Sequence, residues 1–395
     1  MKILIVGAGL AGAATAIFLA RQGNDVEVID ASERPHEGGY VLQLDQTAQK
    51  TATDLGIGDL VAELSVATPR ISLSAGRRRL LDLRLPGFRV ARRGSFVTAT
   101  MQRARLSAPV RLGIRLVTLE HHREGVTARF SNGTEERYDL VVGADGVSST
   151  VRSHAFPDES PVHMNGYASV WIDIATAERQ STRAMVGCER SSVLQIFPYP
   201  GHSELVYAGF RAPRGSLDAE HGQRAVGSVL RHWGLHAEAE QALAADLDEV
   251  RVLSFAQVRT PSWHNRRVVL VGDAAHCIDP LSGLGSHGAF LGARNLASAI
   301  GSGAPLHQAL GTYEKSTRPF VTMAQRITTG LLNTLTAAGA AQFARGLVDL
   351  VHASTSAVSV AVSAATTSAE DGRSAVWPRR VPGSWLSGLS TSAPR

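Results

Sequence analysis

The segment VGAGLAG at residues 6–12 constrains the fold of this 395-residue chain more than any other feature. It ends an apolar run, Ile3-Leu4-Ile5-Val6, and opens an alanine-rich stretch of helical character that continues to Gln22. A G-x-G-x-x-G pattern carries weight only between a strand and a helix, and that context is present. Each glycine has its own task. Gly7 makes the tight turn, Gly9 lets the backbone approach a pyrophosphate, and Gly12 lets the helix pack closely on the strand. Amides at the helix start, at Leu10 and Ala11, are then expected to meet the anion. A second strand, VEVID, ends at Asp30, eighteen positions beyond Gly12. A carboxylate there accepts hydrogen bonds from both ribose hydroxyls and disfavours a 2′-phosphate, so the site reads as one for FAD or NAD and not NADP.

A second nucleotide-type signature, VGDAAHCIDPLSGLG, occupies residues 271–285, more than 250 residues later. Two such signatures point to one large dinucleotide held by distant parts of the chain. With 44% apolar residues the chain can bury a large core, divided between two domains. No apolar run reaches the roughly 18 residues that a membrane span needs. The run at residues 3–6 is too short for a signal peptide, so a cytoplasmic location without a membrane partner is expected. Cys188 and Cys277 have no metal-ligand spacing, which argues against a disulfide framework or a metal site and for two free thiols. The net charge of +5 is spread along the chain, with one dense run at Arg77-Arg78-Arg79, so no nucleic-acid partner is expected.

The patterning predicts an α/β fold in which a Rossmann-type domain is interrupted by a second domain with a largely antiparallel sheet, followed by C-terminal helices. Residues 1–70 form the first part of the nucleotide domain, with strand, helix, strand, a loop at Gly38-Gly39 and a helix at 48–55. Residues 71–90 alternate around a Gly-Arg turn and read as a hairpin of the second domain. The nucleotide domain resumes over 91–160, ending in the buried strand and turn DLVVGADG at 139–146. Residues 161–261 carry aromatic and β-branched strands and a helical stretch near 224–243. Residues 262–335 return to the nucleotide domain. Residues 336–395, rich in Ser, Thr and Ala, read as a weak helix and a flexible tail.

Three segments, taken in order, resemble the FAD-dependent aromatic hydroxylases, the class A flavoprotein monooxygenases with the p-hydroxybenzoate hydroxylase fold. They are GAGLAG with Asp30; GADGVSSTVR at 143–152, with Asp145 and Gly146; and Gly272-Asp273-Ala274-Ala275-His276 with Pro280, Gly283 and Gly285. The resemblance extends over residues 1–330. It implies that Asp273 contacts the ribityl chain of FAD, and that Asp145-Gly146 lies near the pyrophosphate and the nicotinamide path. The loop from Pro280 to Gly285 and the helix opening at Ser286 lie beside the pyrimidine end of the flavin. A helix N-terminus there carries about half a positive charge and can stabilise an anionic reduced ring. Arg93, in Arg-Gly-Ser-Phe, matches the arginine that reaches the cofactor, with Arg92 as the competing choice; a guanidinium can bridge phosphate and ribityl oxygens. Gly38 and Gly39, in Glu-Gly-Gly-Tyr, match the pair that faces the flavin. His287 stands where many members have Asn. It is either a catalytic acid or a helix-start histidine beside the cofactor.

The activity implied is hydroxylation of an electron-rich, aromatic small molecule with NADPH or NADH as transient electron donor and O2 as co-substrate, by way of a flavin C4a-hydroperoxide. No second G-x-G-x-x-G unit serves the nicotinamide. Substrate-facing candidates lie on the second sheet: Gln195, Phe197 and Tyr199 at alternate positions of one strand, and Phe210, with Trp171 and Tyr207 nearby. The same side chains could equally be core. A flavin-dependent reductase or dehydrogenase of the same superfamily and a non-catalytic flavin-fold binding protein stay open as alternatives. A flavin-dependent halogenase is disfavoured, because the chain lacks a Trp-x-Trp-x-Ile-Pro segment. The substrate and the oligomeric state are not legible.

Overall fold

The computed structural model describes residues 1–35, 41–75, 78–84, 87–175, 183–189, 192–198, 203–212, 215–280 and 283–335. Gly38, Gly39, Tyr199, Arg77 and the expected tail at 336–395 lie outside these residues.

The nucleotide domain is organised by a six-stranded sheet in the order His264–Asn265, Val268–Leu270, Leu140–Gly143, Lys2–Val6, Asp25–Asp30, Val110–Leu112. All neighbours are parallel except the short His264–Asn265 edge. Residues Ile3–Val6 and Leu140–Val142 of the central strands are buried on both faces, which is why ILIV and LVV read as unbroken apolar runs. Helices Arg93–Ala104 and Gly285–Gly301 each pack against Leu10–Arg21, and the long helix Leu306–Leu335 packs on Gly285–Gly301. The registers Val6↔Gly143 and Gly143↔Leu270 set three strand ends level. The turns that follow all leave the same carboxyl edge, where open α/β sheets bind their ligands.

The second sheet has seven strands in the order Arg251–Val258, Val162–Ala175, Ser203–Arg211, Ser192–Pro198, Arg183–Glu189, Arg70–Ala75, Arg78–Arg84. It is antiparallel apart from the Arg183–Glu189/Arg70–Ala75 pair. The hairpin at 70–84 therefore adds its strands to this sheet and not to the parallel one. Alternation divides its residues cleanly. Val170, Ile172, Leu194, Ile196, Val206 and Ala208 face helices Ala219–His232 and His236–Ala244. Trp171, Val193, Phe197, Leu205, Tyr207 and Phe255 face the other way, where they meet Val41 and Val90. Those two residues belong to a small sheet, Val41–Leu44, Arg89–Arg92 and Ser65–Ala67, that joins the two large ones.

Two local features differ from the sequence-based expectation. The helical stretch near 224–243 is two helices, because Gly234 takes a left-handed φ of 79° that ends the first one. The antiparallel sheet Leu116–His121, Val126–Phe130, Glu135–Tyr138 is inserted between helix and parallel strand.

Candidate functional site: a dinucleotide cleft at the carboxyl edge of the parallel sheet

The glycine turn is held from three sides. The amide of Gly7 donates to Ile29 O at 2.7 Å, that of Ala144 to Val6 O at 2.7 Å, and that of Ala8 to Asp30 Oδ2 at 2.7 Å. Asp30 Oδ1 accepts from Ser32 N at 2.8 Å, so this carboxylate ties the turn to the end of the second strand. A Cβ on Gly7 would lie 2.4 Å from Ala144 O, at a φ of 106°. A Cβ on Gly9 would meet nothing within 4 Å. The first two positions thus divide as their tasks require, one filled by backbone and one open to a ligand. The helix that follows has no side-chain cap, and its first internal bond runs from Ala13 N to Gly9 O at 2.9 Å. The amides of Leu10, Ala11 and Gly12 are left as donors for an anion.

The second and third motifs meet through Arg152. Its guanidinium is buried and donates to Ala274 O at 2.8 Å and to Val147 O at 2.5 Å, which joins the Asp145-Gly146 turn to the Asp273–His276 helix. Asp145 accepts from Ser149 Oγ at 2.5 Å and from Val151 N at 3.1 Å. Burial pushes its carboxyl above the ordinary range despite these bonds. Gly146, at φ 80°, has open space where a Cβ would point. Burial likewise raises Asp273, against the opposing charge of Arg93. The two residues expected at the ribityl chain are therefore within electrostatic reach of each other. Arg92 forms an ion pair with Asp173 of the second sheet, which distinguishes its task from that of Arg93.

The third motif ends in helix Gly285–Gly301, which also lacks a side-chain cap; its first internal bond is Gly288 N to Leu284 O at 3.0 Å. A Cβ on Gly285 would meet nothing within 4 Å, whereas one on Gly283, at φ 68°, would lie 1.8 Å from Gln43 Oε1. Pro280 precedes this turn. Ser286 Oγ donates to Gln43 O. His287 Nδ1 lies 2.7 Å from Asp45 Oδ2, and its ring stacks on Phe320 at 4.2 Å. Asp45 also caps the helix Gln46–Asp54 by accepting from Ala48 N at 2.7 Å. Burial pushes the Asp45 carboxyl up, but the bond and charge of His287 with the local amides outweigh it and hold the group below its ordinary range. Gln43 and Asp45 do not stand out in the sequence. Their only signal is the helix-capping position of Asp45, since the partners lie more than 240 residues away.

On the second sheet Gln195 and Trp171 both stand opposite Tyr207, and Phe197 lies on the same face; all four are buried. Phe210 is corrected: it packs with the helix-covered face. Tyr207 and Phe210 are an odd number of positions apart on one strand, so alternation separates them.

The donor set fits FAD. Two uncapped helix starts, open positions at Gly9, Gly146 and Gly285, and a carboxylate at each end of the cleft suit a pyrophosphate, a ribose and a flavin. This architecture is that of a dinucleotide-binding fold with a second, largely antiparallel sheet. The chain belongs to the family described as FAD binding domain, which matches residues 1–328. Among similar proteins is a flavin-dependent monooxygenase of Legionella longbeachae, 26% identical over 320 residues, 76% of this chain and 80% of that one. Another is 3-amino-4-hydroxybenzoate 2-monooxygenase of Streptomyces cremeus, 26% identical over 336 residues, 81% of this chain and 84% of that one. The fold is shared with HpxO of Klebsiella pneumoniae, solved with FAD and uric acid, at a TM-score of 0.74 and 19% identity over 89% of this chain and 97% of that one. No described helix is long and apolar enough to cross a membrane.

Proposed function

We propose that this protein is an FAD-dependent monooxygenase that uses NADH or NADPH and O2 to hydroxylate an electron-rich aromatic small molecule. The observation that carries the reading is the meeting of three motif turns at one sheet edge beside an aromatic face of a second sheet. Bound FAD supplies the redox chemistry, accepting hydride from the nicotinamide and activating O2 for transfer of one oxygen atom. The protein's own residues bind and orient. The amides of Leu10–Gly12 hold the pyrophosphate, Asp30 the adenosine ribose, and Asp273 and Arg93 the ribityl chain. The amides of Gly285–His287 present the positive end of a helix to the pyrimidine edge. Gln195, Phe197, Trp171 and Tyr207 offer an apolar wall with few polar groups, suited to excluding water and seating an aromatic ring. The substrate named for the Streptomyces relative, an aminohydroxybenzoate, and the uric acid bound by the Klebsiella protein support the substrate class.

The test is an absorbance spectrum of the purified protein, followed by NAD(P)H oxidation in air with and without a panel of phenols and polycyclic aromatics. A yellow protein whose NAD(P)H consumption rises with one compound, yielding a product sixteen mass units heavier, is expected. Slow reduction that no compound stimulates would favour a reductase instead. Asp273→Ala should keep the fold by circular dichroism and lose roughly tenfold or more in flavin affinity or reduction rate, the loss of a charge-assisted contact. Unchanged flavin content and turnover in that variant would remove Asp273 from the site.

A further inference from the structure

An open depression of ≈ 470 Å³ lies apart from the cofactor site, at the amino ends of the parallel strands, with His122, Arg123, Arg266 and His307 exposed along it. Arg266 and Arg267 lead into Val268–Leu270 from that end, whereas Gly7, Ala144 and Val271 leave from the other. His121 and His122 come from the end of strand Leu116–His121, with Arg123 in the turn that follows. His307 lies in the first turn of the helix Leu306–Leu335.

Six basic side chains line this space and no carboxylate does. Two are partly engaged: Arg267 donates to Asp139 O at 3.0 Å, and His122 Nε2 lies 2.9 Å from Thr127 Oγ1. Among the described residues no ion pair involves Arg123, Arg266 or His307. Nδ1 of His121 is shut off from solvent with no hydrogen-bond partner. Arg266 holds a left-handed φ of 52°, one of two non-glycine residues described that do so, a conformation that costs about 1 kcal/mol or more. The helix at the wall adds its positive end, since Gln308 N is the first of its amides to find an acceptor, Pro305 O at 2.9 Å. Three arginines with three imidazoles and a helix start make this concave surface electropositive. A counter-anion offsets this gathered positive charge.

We propose that this depression is a second ligand site that takes a small phosphate-bearing anion, free or as an ester. Guanidinium forks match phosphate oxygens two at a time, and the imidazoles supply single donors.

The experiment is titration calorimetry on the FAD-loaded protein, so that the cofactor's own pyrophosphate site is filled, at fixed ionic strength. Inorganic pyrophosphate and AMP are the two probes. Saturable binding of one equivalent of either probe is expected, and the tighter of the two shows whether free or esterified phosphate is the source. Arg266→Gln and Arg123→Gln should each weaken it about tenfold while the flavin absorbance stays unchanged; the exposed Arg105→Gln should leave it unaltered. Absence of saturable heat with both probes up to millimolar concentration would overturn the proposal. So would equal weakening by Arg105→Gln, which would mark a response to overall positive charge.

Discussion

A Cβ on Gly12 would sit 1.9 Å from Gly7 O, so the third glycine of the turn is required by contact between two backbones and no rotamer change could relieve a larger residue. Such contacts span only a few residues, and for that reason the glycine turn is legible in the amino-acid string alone. His276 is a different case. The sequence marks it only as a motif residue, whereas the fold buries it against Trp263 at 4.6 Å, with Nε2 unpartnered. Burial, with the charge of Arg318 adding to it, lowers its pKa to about 4 from the ordinary 6.5. Between these values the unfolded chain binds a proton that the native state refuses. Stability therefore falls as pH drops from about 6.5 toward 4, and this group contributes no slope above 6.5. Urea unfolding should show a loss of about 2 kcal/mol between pH 7 and pH 5 that is absent in His276→Gln.

Among the elements, the short helix Thr150–Ala155 acts as a clasp. Ser149 caps it by accepting from Arg152 N at 2.9 Å, and Arg152 then reaches the carbonyls of Val147 in the preceding turn and Ala274 in the helix Asp273–His276. Arg152→Met should cost about 3 kcal/mol in urea unfolding, since two carbonyls lose charged donors, and, on the proposed placing of the cofactor against the segments it joins, should speed flavin release. Arg152→Lys should restore only part of this, having no planar fork. The element types are largely legible in the residue pattern: apolar runs are buried parallel strands and alternating runs form the second sheet. Boundaries and parity are less so. The break at Gly234 and the placing of Phe210 on the helix-covered face need residue-by-residue counting that a general strand or helix pattern does not supply.

Across the molecule, cofactor and fold are linked. A ligand that binds only the native chain adds stability in proportion to the logarithm of one plus the ratio of its free concentration to its Kd, about 2.7 kcal/mol at a hundred times its Kd. Removing FAD by dialysis against high salt should lower the unfolding free energy by about that amount, and adding FAD back should restore it; equal stability of the two forms would mean that the glycine turn holds no dinucleotide. Local sequence dictates where the chain must turn tightly, and which runs are buried on both faces and which on one. These depend on sterics and burial within a few consecutive residues. Long-range packing alone sets Val6, Gly143 and Leu270 level, brings His287 to Asp45, and turns Trp171, Tyr207 and Phe197 toward the small joining sheet. Strand order and register arise from contacts between segments hundreds of residues apart, and no local pattern in this chain specifies which of those contacts form.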